Sequence, residues 1–231
     1  MPDPARQCET HPELVSLEYP LPHFREALRR QRKVRVVALG SSSTAGVVPV
    51  LPYPYRLELL LRRKFFGRMI DVINRGIGGQ ESPEELSRLE TDVIDEGPAL
   101  VIWQVGTNAV YRDKSYSPDD VEAAIAVGLN WLADLPIDVV LMDLQYTKAM
   151  SDKIDQSTKM VGRIASVGAK AKVNVFGRFA LMKRWVDDGA SIYDMDDGAD
   201  EHLHTGEWAT GCLSQALFES IERAVDAGPV T

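Results

Sequence analysis

A chain of 231 residues, 45% hydrophobic and 26% charged, falls in the range of one large globular domain able to bury a substantial core. Its net charge of -8 comes from acidic and basic residues mixed along the sequence, which argues against a nucleic-acid surface, because phosphate binding relies on clustered Lys and Arg. No apolar stretch approaches the ~20 residues of a membrane helix, so no membrane span is expected.

Residues 1 to 23 carry five prolines and Cys8 without helical periodicity, and residues 1–30 are expected to form an extended N-terminal arm before a single domain over 31–231. The N-terminus shows no charged-then-apolar signal; it reads as cytoplasmic if the sequence is complete, and as periplasmic or secreted if a signal was removed. Cys8 and Cys212 either close one long loop, pinning the arm to the C-terminal helix, or remain two unrelated buried thiols. Neither has a metal-ligand spacing to His or Asp, so no metal site is expected. The basic run Arg29-Arg30-Gln31-Arg32-Lys33 reads as a solvated face before the first strand.

Val34 to Leu39 is the first buried strand, and Gly40-Ser41-Ser42-Ser43-Thr44-Ala45-Gly46 follows where the chain must turn. Leu57, Leu60, Leu61 and Phe65 mark a helix over 55–65, and Met69 to Ile73 a second strand. Ser82-Pro83-Glu84-Glu85 reads as a capping box opening a helix with Leu86, Leu89 and Val93 on its buried face. Leu100 to Val105 is the third strand, and Ser117-Pro118-Asp119-Asp120 starts the next helix. Val139 to Met142 and Lys172 to Phe176 complete five strands, separated by a helix through Ile154, Val161 and Ile164 and followed by one through Leu213, Leu217, Ile221 and Val225. Trp103 and Trp131 are expected in the core.

This alternation predicts a three-layer α/β/α sandwich on a five-stranded parallel sheet, since right-handed crossovers put helices on both faces. Reactive groups of such folds collect outside the carboxyl ends of the strands. Three loops meet there: Gly40 to Gly46, Asn74 to Gln80, and Gly106 to Tyr111. A serine is a weak nucleophile unless an imidazole takes its proton and donors face the oxyanion. Asn108 offers a side-chain amide, Asn74-Arg75-Gly76-Ile77-Gly78-Gly79 offers approachable backbone N–H groups, and Asp200-Glu201-His202-Leu203-His204 offers a base with a carboxylate nearby. The serine loop lacks the Lys of a phosphate-binding loop.

These four segments, in this order, resemble the SGNH (GDSL-type) hydrolase superfamily, whose blocks centre on Ser, Gly, Asn and His, and the resemblance spans residues 34 to 217. It implies a flavodoxin-like sheet and a carboxylic ester hydrolase working through a covalent acyl-enzyme. Ser42 would be the nucleophile, His204 the base, and Glu201 or Asp200 the orienting acid. The oxyanion hole would comprise the Ser42 N–H, Gly79 and Asn108, with no metal or organic cofactor required. Ser41 stands where the family has Asp, and Ala109 replaces the Asp that follows Asn. Arg75, Tyr111 and Tyr146 are candidate substrate contacts, although Arg75 also reads as a partner for a nearby carboxylate. Without a long apolar lid, short acyl groups are expected, O-acetylated sugars first. The other readings are a lysophospholipase or thioesterase of the same superfamily, and a non-catalytic carbohydrate or acyl-binding module on the same fold.

Overall fold

The computed structural model describes residues 7–227. Five parallel strands run in the order β2-β1-β3-β4-β5: β1 (Lys33–Gly40), β2 (Met69–Gly76), β3 (Leu100–Gln104), β4 (Asp138–Met142) and β5 (Asn174–Phe176). Because successive side chains alternate across a strand, β1 sends Val36 and Ala38 to one face and Val37 and Leu39 to the other. The first pair packs with α2 (Pro22–Arg30), α4 (Tyr53–Lys64), α10 (Arg178–Asp187) and α11 (Glu207–Asp226). The second pair packs with α7 (Pro118–Leu132) and α9 (Ile154–Ala171), and with Leu89 and Val93 from a turn of π-helix over Glu90–Ile94. The result is the expected three-layer sandwich, with β1 between β2 and β3 and all three motif loops beside one another at the carboxyl edge. Among the described residues five short α-helices, α1 (Pro12–Val15), α3 (Ser42–Ala45), α5 (Ser82–Ser87), α6 (Thr107–Tyr111) and α8 (Lys148–Ser151), and a 3-10 turn over Ile192–Asp194 complete the set.

Three local expectations are corrected. The arm is not extended to residue 30, because Pro22–Arg30 is helical and buries Phe24, Ala27 and Leu28. Its N-terminus is satisfied from a distance: the Phe24 N–H donates to Asp138 Oδ2 at 2.8 Å, a cap that no neighbouring residue announces. The capping box of α5 sits one residue early, with Glu81 as the cap paired reciprocally with Glu84, while the Ser82 hydroxyl donates to the Val121 carbonyl. Trp131 is 46% exposed, whereas Trp103 is fully buried as expected. Helix α10 follows the short β5 and carries no cap signal in sequence.

Cys8 and Cys212 form a disulfide with Cα atoms 5.4 Å apart, closing the long loop. The arm is held further by Asn174, whose side chain bonds both the N–H and the carbonyl of Tyr19, and by the Trp185 indole, which donates to the Glu9 carbonyl. No helix among the described residues is long and apolar enough to cross a membrane.

Candidate active site

The end of β1 distributes its three serines to three different partners. Ser41 is buried, and Gln104 Oε1 accepts from both its N–H at 3.1 Å and its hydroxyl at 3.0 Å. The Ser43 hydroxyl donates to Gln145 Oε1 at 3.3 Å. Only Ser42, at the first position of α3, turns its hydroxyl to an imidazole, with Oγ 2.9 Å from His204 Nε2. Hydrogen bonding therefore separates the three candidates where their sequence is repetitive. Such sharp entry into α3 needs close backbone approach from β2: a Cβ on Gly76 would lie 2.1 Å from the Ala45 nitrogen, so only glycine fits.

His204 is fixed through the backbone around it. The His204 carbonyl accepts from the Asp197 N–H, the Leu203 carbonyl from Gln145 Nε2 and the Thr147 hydroxyl, and the His202 carbonyl from the Ala149 N–H. Three consecutive carbonyls, of residues 202 to 204, are thus tied down, which fixes the backbone that carries the imidazole. For the Ser42 hydroxyl to donate to Nε2, the ring proton sits on Nδ1. Glu201 Oε1 lies 3.9 Å from Nδ1, within ion-pair range but outside hydrogen-bond length, and Nδ1 makes no hydrogen bond. Asp200 is exposed; of the two candidate acids, Glu201 is the one that lies beside the ring. The other histidine of the motif, His202, faces the buried Asp196 at 3.2 Å.

The remaining two loops meet beside Ser42. A Cβ on Gly78 would come 3.8 Å from Ser42 Cβ, so Gly78 borders Ser42 directly. Gly79 occupies the left-handed region at φ 84°, and its carbonyl accepts from the Tyr116 hydroxyl. Asn108 is buried, and its Nδ2 donates to the Gln80 carbonyl at 2.7 Å. An amide has two N–H donors, so one anchors the side chain and the second is left for a ligand.

Glu81 holds these two loops together, a role that the motif pattern missed. Its carboxylate accepts from the Ser82, Gly106 and Ala109 N–H groups at 3.0, 2.8 and 3.1 Å. The loop is therefore anchored through its backbone at Ala109, whose methyl side chain can form no hydrogen bond of its own. Burial pushes the Glu81 carboxyl up, against the pull of those N–H groups. Glu85, one turn on, is raised well above the usual carboxylate range by burial and by Glu81, and it accepts from the Trp103 indole. The three N–H donors on Glu81 favour its charged form over that of Glu85. Arg88 also ties the region, donating to the carbonyls of Gly40 and Arg75 and to the Gln80 side chain. A Glu before a short helix and an Arg at its end gave no signal of this.

The candidate substrate contacts divide. Arg75 pairs with Glu96, the structural alternative open at the sequence level. Tyr111 is partly buried at the end of α6, and Tyr146 stacks edge-on against Phe179 with ring centres 5.1 Å apart. Beside Ser42 and His204 lies a cavity of about 20 Å³ lined by Val47, Val50, Pro52, Thr205 and Thr210. Among the described residues no group of three His, Cys, Asp or Glu side chains is arranged to hold a metal ion.

Residues 7–227 match the model of the Non-GDSL lipase-like family. Among solved structures, the chain is similar to Axe2, an acetylxylan esterase from Geobacillus stearothermophilus, with a TM-score of 0.71 and 19% identity over 81% of this chain and 94% of that one. Catalytic mutants of that enzyme replace a serine, an aspartate and a histidine by alanine. It is also similar to LAE5, an alpha/beta hydrolase enzyme from the metagenome of Lake Arreo, Spain, with a TM-score of 0.69 and 16% identity over 82% and 95% of the two chains. A segment is 36% identical over 75 residues to the uncharacterized lipoprotein YqeF of Bacillus subtilis (strain 168), spanning 32% of this chain and 31% of that protein.

Proposed function

The chain belongs to the Non-GDSL lipase-like family, and from that premise we propose that it is a serine-dependent carboxylic ester hydrolase acting on short acyl esters, acetyl esters of saccharides first. The observation that carries this reading is the 2.9 Å contact between Ser42 Oγ and His204 Nε2 at the carboxyl edge of the sheet. In the reaction, Ser42 Oγ bonds to the ester carbonyl carbon while its proton passes to His204 Nε2. The tetrahedral intermediate collapses with cleavage of the C–O bond, and His204 returns the proton to the departing alcohol. Water then repeats the sequence on the acyl-enzyme and releases the acid. Developing negative charge on the carbonyl oxygen meets the Ser42 and Gly79 N–H groups and the free donor of Asn108. Glu201 serves as the acid that orients the imidazole, closing on Nδ1 when substrate is bound, as hydrogen bonds in such sites tighten in the complex. It stands three residues before the histidine.

Acyl preference follows from space. About 20 Å³ is close to the volume needed to hold one water, so a methyl group enters beside Val47, Val50 and Thr210 while a longer chain meets their side chains. The saccharide preference draws on the esterase activity named for Axe2.

The test is labelling with an activated fluorophosphonate followed by peptide mapping, with acetate release from acetylated xylooligosaccharides measured alongside. The expected result is one label per chain on Ser42, absent in His204→Ala, and turnover of acetyl esters well above butyryl esters. A folded protein that neither labels nor releases acetate would make it a binding module instead.

A further inference from the structure

Gln145 lies outside all four motif segments, yet it is fully buried and bonded to the immediate neighbours of Ser42, Asn108 and His204. Its Oε1 accepts from the Ser43 hydroxyl at 3.3 Å, next to Ser42, and from the Thr107 hydroxyl at 2.9 Å, next to Asn108. Its Nε2 donates to the Leu203 carbonyl at 3.1 Å, next to His204. The fourth partner fixes which way the amide points. Arg178, 1% exposed, donates from a guanidinium nitrogen to Gln145 Oε1 at 2.8 Å and from Nε to the Asp143 carbonyl at 2.9 Å. Because guanidinium has only donors and a backbone carbonyl only accepts, the oxygen faces Arg178 and the amide nitrogen faces Leu203.

We infer that Gln145, with its amide oriented by the buried Arg178 guanidinium, is a positioning residue that sets the nucleophile, oxyanion and base loops relative to one another. This rests on the hydrolase reading of the site. Ser42, Asn108 and His204 arrive from β1, β3 and the segment before α11, which share no other side chain bonded to all three loops among the described residues. A single amide spanning them converts three independently placed loops into one rigid geometry. A misplacement of about 1 Å costs about 10²-fold in such reactions, so this linkage acts on turnover rather than on substrate affinity.

Two variants separate this role from simple core stability. Gln145→Met removes every bond and leaves Arg178 only the Thr107 hydroxyl, at 3.5 Å, as a side-chain acceptor, so it also threatens folding. Gln145→Glu keeps an oxygen towards Arg178, Ser43 and Thr107, offers the Arg178 guanidinium a carboxylate, and replaces the donor to Leu203 by an oxygen against that carbonyl. The expected result for Gln145→Glu is a Tm close to the parent, KM within about twofold and kcat lowered about 10- to 100-fold on a p-nitrophenyl acetate assay. Parental kcat in folded Gln145→Glu, or a loss confined to KM, would overturn the inference. The parent is measured first for fluorophosphonate labelling, and failure there counts against the hydrolase reading alone. In that case NMR of the histidine ring nitrogens decides: the positioning role requires the His204 resonances to move in Gln145→Glu, and unmoved resonances sink it.

Discussion

The two sides of the cleft are built to different standards of rigidity. On the side of the proposed nucleophile and oxyanion hole, Ser41, Ser43, Asn108, Gly79 and Glu81 each have polar groups satisfied by named partners, and Gln104 and Gln145 reach across loops to supply Ser41 and Ser43. On the base side, the backbone of residues 202–204 is equally well tied, but the imidazole's second nitrogen has a half-exposed carboxylate at 3.9 Å and no hydrogen bond. The difference teaches where charge is held in advance and where it is left to adjust. Oxyanion donors lose their value if they must reorganise during reaction, whereas an acid that only orients a ring can close upon it when water leaves.

Mutations should reproduce that asymmetry. Ser42→Ala and His204→Ala are each expected to lower kcat by at least about 10⁴-fold in acetyl ester hydrolysis with the fold retained, since nucleophile and base act as a unit. Asn108→Ala should lower kcat about 10²- to 10³-fold with KM little changed, and an unchanged kcat would remove Asn108 from the oxyanion hole. Reducing the Cys8–Cys212 disulfide, which anchors the helix leaving the base loop, should lower Tm by about 5–15 °C in a thermal melt, from a loss of ~2–5 kcal/mol. Glu201→Gln should cost less than about 10²-fold in kcat, because its carboxylate is half-exposed and its field is screened by water, and Asp200→Asn should be silent. A larger loss in Glu201→Gln than in Asn108→Ala would reverse the comparison.

Stability should also depend on pH, because carboxyls are buried at both ends of β4. Burial pushes Asp143 up to about 7 and Asp138 up to about 6, each opposed by backbone N–H donors from α10 or α2. Both folded values lie above the ~3.9 of an unfolded aspartate, so between about pH 4 and 7 the folded chain binds more protons than the unfolded one. Stability is therefore greater at low pH in this window and is lost as pH rises through 6 to 7. Calorimetry should give a Tm a few degrees higher near pH 5.5 than near pH 8, with a shallower slope in Asp138→Asn, which keeps an acceptor for the Phe24 N–H. A Tm that rises towards pH 8 would contradict it.

Sequence alone determined what depends on periodicity and on short motifs. Five short apolar runs alternating with amphipathic segments specified the parallel sheet, and helix spacing between them specified the layers on each face. Ser, Gly, Asn and His ended strands or opened helices at one edge, so their convergence followed from topology. Tertiary structure decided what depends on partners far apart in the chain. Which of three adjacent serines faces the imidazole was settled by Gln104 and Gln145, 63 and 102 residues away. Helix α2 formed where prolines suggested an extended arm, because Asp138 caps it from β4. Glu81, Arg178 and Gln145 stayed silent in sequence because a buried polar residue looks like any surface one until the fold removes water from it, and only then does it require the partners that give it a role.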